Sequence, residues 1–177
     1  MFVRMLFIVF LPLVVLAGCA TLSEDECQRG DWYTIGLTDG DKGRLTSYLS
    51  RHAEACAKHG IGVDQAAWLE GREVGLQSYC RPERAYSLGR RGTKLNPVCP
   101  RAEVALLTEA NDWGLRYHAI SDEIRDVERE IDEITEELEA LPEDDRAARR
   151  ELLRERRQLR WVLDDLKDER IIYSEWI

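Results

Sequence analysis

The hydrophobic pattern is most regular in the second half of the chain. From residue 113, apolar residues recur at alternating intervals of four and three, and the set is Trp113, Tyr117, Ile120, Ile124, Val127, Ile131, Ile134, Leu138 and Leu141. Such spacing over four heptads predicts a helix with a coiled-coil seam. A second series follows at Leu152, Leu159, Leu163, Leu166 and Tyr173. Residues 101–177 are therefore predicted to form two long helices.

The two series are separated by a break near residues 142–145. Pro142 cannot donate a backbone hydrogen bond, and the acidic residues after it suit the start of a new helix. The seams mirror each other about this break, which places Ile134 opposite Leu152, Val127 opposite Leu159, Ile120 opposite Leu166 and Trp113 opposite Tyr173. The pattern predicts an antiparallel hairpin.

The charges favour the same topology. Residues 130–141 hold six acidic and no basic side chains, whereas residues 146–160 hold seven arginines and two glutamates. Folding back brings acid towards base, while a parallel dimer of long rods would set carboxylates beside carboxylates.

Residues 27–99 differ in amino-acid composition from the hairpin and are predicted to form a small helical head. They contain four of the five cysteines and ten of the twelve glycines. Helices are expected within residues 31–43, from Thr46 to His59 with Gly60 at the C′ position, and from an Asp64 N-cap to about Tyr79. The predicted fold class is all-α, a disulfide-stapled head followed by a long antiparallel coiled-coil hairpin.

A loose repeat runs through the head, in which an aromatic residue is followed by two glycines. Its copies are Tyr33, Gly36 and Gly40, then Trp68, Gly71 and Gly75, then Tyr86, Gly89 and Gly92. Glycines four apart share a helix face, and close helix packing is the favoured explanation. The alternative is an aromatic groove for a glycan or an extended peptide, lined by Trp32, Tyr33, Trp68 and Tyr86.

The N-terminus resembles a bacterial lipoprotein signal. Arg4 precedes an apolar stretch, Met5 to Leu16, which ends in Leu16-Ala17-Gly18-Cys19 and is too short to span a bilayer. The resemblance implies a signal peptide over residues 1–18, a lipidated Cys19 and a tether over 19–26. Ala20 stands where an aspartate would mark inner-membrane retention, so the expected location is the outer membrane, facing the periplasm and anchored by lipid.

The cysteine count bears on disulfide formation, and the net charge bears on nucleic-acid binding. Cys27, Cys56, Cys80 and Cys99 form an even set, which in an exported chain predicts two disulfides. Three pairings are open, and Cys27–Cys56 with Cys80–Cys99 is preferred because each closes a local segment. The net charge of −9 argues against non-specific nucleic-acid binding.

Two clusters have the residue types of metal ligands. His52, Cys56 and His59 share a helical face and could hold zinc, but a disulfide at Cys56 is favoured. Asp39-Gly40-Asp41 resembles the start of a calcium loop, yet Ser50 stands where the last acidic ligand belongs, so a turn is preferred. No metal, cofactor or catalytic residue is predicted.

Basic residues gather in residues 81–101, where Glu83 is the one acidic residue. The basic set is Arg81, Arg84, Arg90, Arg91, Lys94 and Arg101. A solvated surface that balances acidic neighbours is favoured. The alternative is docking onto anionic lipid headgroups or cell-wall carboxylates.

Trp32 to Cys99 resembles a proteobacterial envelope lipoprotein family known only as a domain of unknown function, the one numbered twenty-seven ninety-nine. The residues that carry the resemblance are Gly36, Asp39, Gly40, Gly43, His52, Cys56, Gly71, Gly75, Leu76, Tyr79, Cys80, Tyr86, Gly89, Gly92 and Cys99. The resemblance implies an envelope lipoprotein and brings no activity with it.

These patterns favour a non-catalytic envelope scaffold that binds an unknown periplasmic protein through its hairpin. The first alternative is a module in the head that binds glycan, specifically peptidoglycan. The second is an enzyme whose site the sequence does not reveal.

Overall fold

The structure is a computed structural model and describes residues 20–176. The signal peptide predicted over 1–18 and the lipidated Cys19 lie outside the described residues. Within them the chain is helical without strands, as predicted, and the α-helices are α1 (Glu24–Arg29), α2 (Trp32–Asp41), α3 (Leu49–Ala57), α4 (Gln65–Tyr79), α5 (Pro82–Arg90), α6 (Val104–Ala140) and α7 (Arg146–Ile172). A 3₁₀ turn, Thr46–Tyr48, precedes α3.

The described residues form two compact units. The first unit contains residues 20–31 and 47–63, and the second contains residues 32–46 and 64–176. This grouping cuts across the predicted division between a head over 27–99 and a hairpin over 101–177. The reason is that α5, on one side of that division, packs along α6, on the other.

The first unit is built from α1 and α3 and is held by a disulfide. Ser23 begins α1 with a capping box, since its backbone N–H donates to Glu26 at 2.7 Å and the Glu26 N–H donates to the Ser23 hydroxyl at 3.3 Å. Cys27 on α1 bonds Cys56 on α3, and both are buried. The Ser23–Glu26 spacing was a sequence signal for α1, which the hydrophobic pattern alone did not predict.

In the second unit, α2 and α4 pack through their glycines. A Cβ added at Gly36 would overlap the carbonyl oxygen of Trp68, and one at Gly71 would overlap the carbonyl oxygen of Tyr33. Gly40 and Gly75 make the same kind of approach one turn further on. The favoured explanation of the repeat, close helix packing, is therefore confirmed for these two copies.

Helices α5 and α6 pack in the same way. A Cβ at Gly89 would overlap the carbonyl oxygen of Asn111, and one at Gly114 would overlap the carbonyl oxygen of Tyr86. In all six contacts the obstructing carbonyl belongs to a residue three positions before a glycine on the facing helix. The third copy of the repeat thus finds its partner in Asn111 and Gly114, and the second glycine of that copy, Gly92, instead has a φ of 73° beside His118.

The disulfides follow the preferred pairing. Besides Cys27–Cys56, the structure joins Cys80 at the end of α4 to Cys99 in the segment between α5 and α6. The buried amide of Asn111 fixes the same segment, because it donates to the carbonyl oxygens of Ala85 and Thr93 and accepts from the Leu95 N–H.

Helices α6 and α7 form the predicted hairpin. Ile120, Ile124, Val127 and Leu166 make a buried cluster, against which Ile131, Leu159, Leu163 and Tyr173 pack. The rings of Trp113 and Tyr173 lie 4.6 Å apart between centroids, so the mirrored register holds at the open end of the hairpin. Asp145 caps α7 by accepting from the Ala148 N–H at 3.1 Å.

The expected pairing of acidic and basic side chains near the turn takes another form. Among the described residues, no ion pair joins an arginine of 146–160 to a carboxylate of 130–141. Arg149 instead donates to the carbonyl oxygens of Leu138 and Leu141, and Arg156 donates to the Thr135 hydroxyl. The last carbonyls of a helix lack intrahelical donors, so an arginine that reaches them caps α6 from the neighbouring helix.

Candidate functional site

The three candidate zinc ligands, of which His52 and Cys56 are in α3 and His59 follows its end, have other partners. Cys56 is in the disulfide, and buried His52 places Nδ1 2.8 Å from the Thr21 hydroxyl. His59 Nδ1 lies 3.4 Å from a carboxylate oxygen of Glu24. Over the whole of residues 20–176, no group of three or more His, Cys, Asp or Glu side chains is placed to hold a metal ion.

Asp39, Gly40 and Asp41 form the last turn of α2, so the turn preferred at this position is wrong. Asp39 is buried and accepts a hydrogen bond from the indole of Trp68. Asp41 pairs with Arg84 at 3.7 Å. Glycine occupies position 40 of this helix because α4 packs too close for a side chain. A Cβ added at Gly40 would overlap the carbonyl oxygen of Arg72.

The four aromatic residues proposed for a groove do not line one. Trp32 and Trp68 are buried, and the hydroxyl of buried Tyr86 donates to the Tyr173 carbonyl oxygen at 2.7 Å. Burial raises the pKa of Tyr86. Tyr33 alone of the four is exposed, at 39%. Three of the four rings are therefore not available to stack on a ligand at the surface.

The basic set of residues 81–101 is divided among local contacts. Arg81 pairs with Glu83 at 3.7 Å, and Arg84 pairs with Asp41. The Arg90 guanidinium lies 4.1 Å from the centroid of the Tyr117 ring, and Arg91 donates to the Ser87 hydroxyl. Lys94 and Arg101 are exposed. This distribution agrees with the favoured explanation, a surface balanced by its neighbours.

The C-terminal residues pack on the second unit. Trp176 lies edge-on to Trp113, with 6.2 Å between ring centroids, and both contact the core around Ala85 and Leu107. The Trp113 indole donates to the Glu175 carbonyl oxygen at 3.0 Å. The Trp176 ring thus packs against the second unit.

The outer face of α7, opposite the seam, is the surface that the hydrophobic pattern did not single out. Trp161 is 73% exposed there, and Arg150, Arg154 and Arg157 are exposed on the turns before it. The sequence did contain a signal for this face, because Trp161 is a large apolar residue that does not fall at a seam position of α7. The outer face of α6 is acidic, with exposed Asp132, Glu136 and Glu139. The basic residues and Trp161 on α7 and these carboxylates on α6 give the hairpin two surfaces of distinct chemistry.

Known proteins supply a family but no function. None of the described helices is both long and apolar enough to cross a membrane. No curated protein and no solved structure matches the chain. The family described as "Protein of unknown function (DUF2799)" matches residues 31–115, a segment that begins one residue before α2 and ends one residue after Gly114. This match spans all six glycine–carbonyl contacts, so residues 31–115 of the chain are similar to the DUF2799 family.

Proposed function

We propose that this protein is a non-catalytic lipoprotein of the bacterial outer membrane that binds a periplasmic protein through its hairpin. The observation that carries the proposal is the acidic outer face of α6. Asp132, Glu136 and Glu139 follow each other at intervals of four and three, so they share one face, and all three are exposed. That face lies away from the seam with α7.

The seam leaves this face free for a partner. From Ile120 to Ala140, α6 rises roughly 30 Å at 1.5 Å per residue while it packs on α7. None of the three carboxylates forms an ion pair with any residue of 20–176. The acidic face itself, from Asp132 to Glu139, is about 10 Å long at 1.5 Å per residue. Held on a stiff helix, it suits a basic groove or helix on another protein, where charge sets the orientation and the rate of association.

The test reverses the charge of the acidic face in cells. A photocrosslinking residue at exposed Ala140, one turn after Glu136, should trap a discrete protein in the unaltered chain. The triple change Asp132→Lys, Glu136→Lys and Glu139→Lys should abolish that adduct. The matched control is Glu54→Lys, Glu70→Lys and Glu109→Lys, exposed positions whose reversal should leave the adduct in place. Circular dichroism should show equal helix content for both triple variants. An adduct that survives reversal of the acidic face contradicts the proposal.

The anchor needs a separate test. Cys19→Ser should abolish incorporation of labelled palmitate and release the protein from the membrane fraction. Labelling that persists in this variant, or membrane association that does not depend on Cys19, would count against lipid anchoring and leave the binding role of the hairpin to stand on its own test.

The glycan alternative is left with Tyr33 as its one exposed ring, since the other three aromatic residues named for it are buried. No arrangement within residues 20–176 favours a particular enzymatic reaction.

A further inference from the structure

The outer face of α7 carries a stripe that is symmetric about Trp161. The stripe comprises the exposed residues Arg150, Arg154, Arg157, Trp161, Asp165, Asp168 and Ile172. The intervals between them are four, three, four, four, three and four. At 100° per residue, the seven positions fall within an arc of about 80° centred opposite the seam.

The charges within seven residues of Trp161 are opposite at equal distances from it. Arg157 and Asp165 lie four residues to either side, and Arg154 and Asp168 lie seven residues to either side. When two such stripes run antiparallel with Trp161 at the centre, Arg154 and Arg157 each face an aspartate of the other helix, and Arg150 faces Ile172. A parallel arrangement would place arginine against arginine and aspartate against aspartate.

We infer that the outer face of α7 is a self-association surface, and that its occupant is a second copy of this chain, bound antiparallel about a twofold axis at Trp161. In a twofold interface each contact occurs twice, so a helix that pairs with itself must carry complementary residues at mirrored positions. The two Trp161 rings would meet at the axis, with two Arg157–Asp165 pairs and two Arg154–Asp168 pairs around them.

The charges of the stripe are not used within the chain. On the side of α7 that faces α6, Glu169 pairs with Arg116, and Lys167 pairs with Glu128 at 3.1 Å. Arg154, Arg157, Asp165 and Asp168 make no ion pair with any residue of 20–176. Trp161 at 73% and Ile172 at 63% are among the most exposed large apolar side chains of the same residues. Isolated exposed apolar residues are ordinary, and the mirrored charges are what point to a second copy.

The expected dimer is weak and sensitive to salt. Its contacts are one pair of tryptophans and exposed ion pairs, which places the interface at the small end of the specific range. The inference concerns α7 and is independent of the partner proposed for the acidic face of α6. The hairpin offers both faces at once, because they point away from a shared seam.

Sedimentation velocity of the full chain in density-matched detergent tests the inference. The unaltered chain should show a monomer–dimer equilibrium that shifts with protein concentration and weakens as salt is raised. Arg154→Asp alone and Asp168→Arg alone should each raise the dimer Kd by about tenfold or more, because each sets like charges together twice. The two changes combined should return the Kd to within about threefold of its starting value, because they recreate the pair with its signs exchanged.

Two further variants fix the surface and the axis. Arg101→Asp reverses an exposed arginine away from the stripe and should leave the Kd unchanged. Trp161→Cys should form an intermolecular disulfide on oxidation, since only a residue on the twofold axis meets its own copy, whereas exposed Gln158→Cys should not.

Three results would overturn the inference: a monomer at every concentration, single reversals that leave the Kd unchanged, or a double variant that stays as weak as the singles. None of them affects the crosslinking test of the acidic face, so failure of the dimer and failure of the proposed function are distinguishable.

Discussion

The indole Nε1 of Trp68 donates a hydrogen bond of 2.9 Å to the Asp39 carboxylate, and both side chains are buried. This contact joins the first turn of α4 to the last turn of α2, next to the glycines that bring the two helices together. A buried carboxylate that loses a donor is costly, which makes the pair a sensitive probe of the second unit.

We expect Trp68→Phe to lower the free energy of unfolding by about 1–3 kcal/mol, because it removes the donor to Asp39. Urea unfolding followed by circular dichroism measures the change. Trp161→Phe is the matched control, since the same substitution at a ring that is 73% exposed should change stability by less than about 0.5 kcal/mol. Equal effects at the two sites would contradict the buried role of Trp68.

The glycine contacts give a second prediction. Gly71→Ala should destabilise the second unit by about 1–3 kcal/mol, because its Cβ would overlap the backbone carbonyl of Tyr33, which cannot rotate away as a side chain could. Gly62→Ala is the control, since a Cβ there meets nothing within 4 Å and the φ of Gly62 is not positive. Thermal unfolding of both variants checks the contrast. A stable Gly71→Ala protein would show that α2 and α4 pack less closely.

The two disulfides should differ in their resistance to reduction. Cys27 and Cys56 are 1% and 0% exposed, whereas Cys80 and Cys99 are partly exposed and border a surface cleft with Glu73, Pro100 and Glu103. Because thiol–disulfide exchange needs access to sulfur, dithiothreitol should open Cys80–Cys99 first. Alkylation with a mass label, followed by peptide mapping, gives the order. Simultaneous reduction in the folded protein would disprove the expected selectivity.

Opening either bridge should also cost stability. The loop-entropy relation gives about 3–4 kcal/mol for each, from sequence separations of 29 and 19 residues. Paired Cys→Ala variants, compared by urea unfolding, measure the two contributions separately. Variants as stable as the unaltered protein would show that the bridges do not constrain the unfolded chain.

Tyr86 should make the protein sensitive to alkali. Burial raises its pKa in the folded state, so above pH of about 10 the unfolded chain ionises first and is favoured. The contribution of Tyr86 to the free energy of unfolding is therefore fully present below that pH, and it is lost as pH rises towards the pKa of Tyr86 in the folded state. Tyr86→Phe should cost about 1 kcal/mol near neutral pH through loss of the bond to the Tyr173 carbonyl, and the deficit should shrink above pH of about 10.

The test compares the urea concentration at the midpoint of unfolding for the unaltered chain and for Tyr86→Phe, each at pH 8 and pH 10.5. Tyr33→Phe is the control, since this ring is exposed at 39% and should have the same stability as the unaltered chain at both pH values. A Tyr86→Phe deficit that stays constant with pH would show that ionisation of Tyr86 is not linked to unfolding.

The sequence by itself determined the elements whose signals are local. A heptad series fixes which face of a helix is apolar, and its mirror image about Pro142 fixes the register of Trp113 with Tyr173. Asp64 marks the start of α4 through a cap that depends on three neighbouring residues. Because such signals depend on nearby residues, they can be derived from the printed chain.

The tertiary structure alone decided what each glycine and aromatic residue faces. The spacing of Tyr33 and Gly36 can be seen in the sequence. Only the packed helices show that Gly71 makes room for the backbone carbonyl of Tyr33 and not for its ring. The same holds for Asn111 and Gly114, whose partners on α5 lie more than twenty residues earlier in the chain. A carbonyl contact leaves no mark on residue type except the missing Cβ, so the sequence indicates where two helices approach and the fold decides which helices they are.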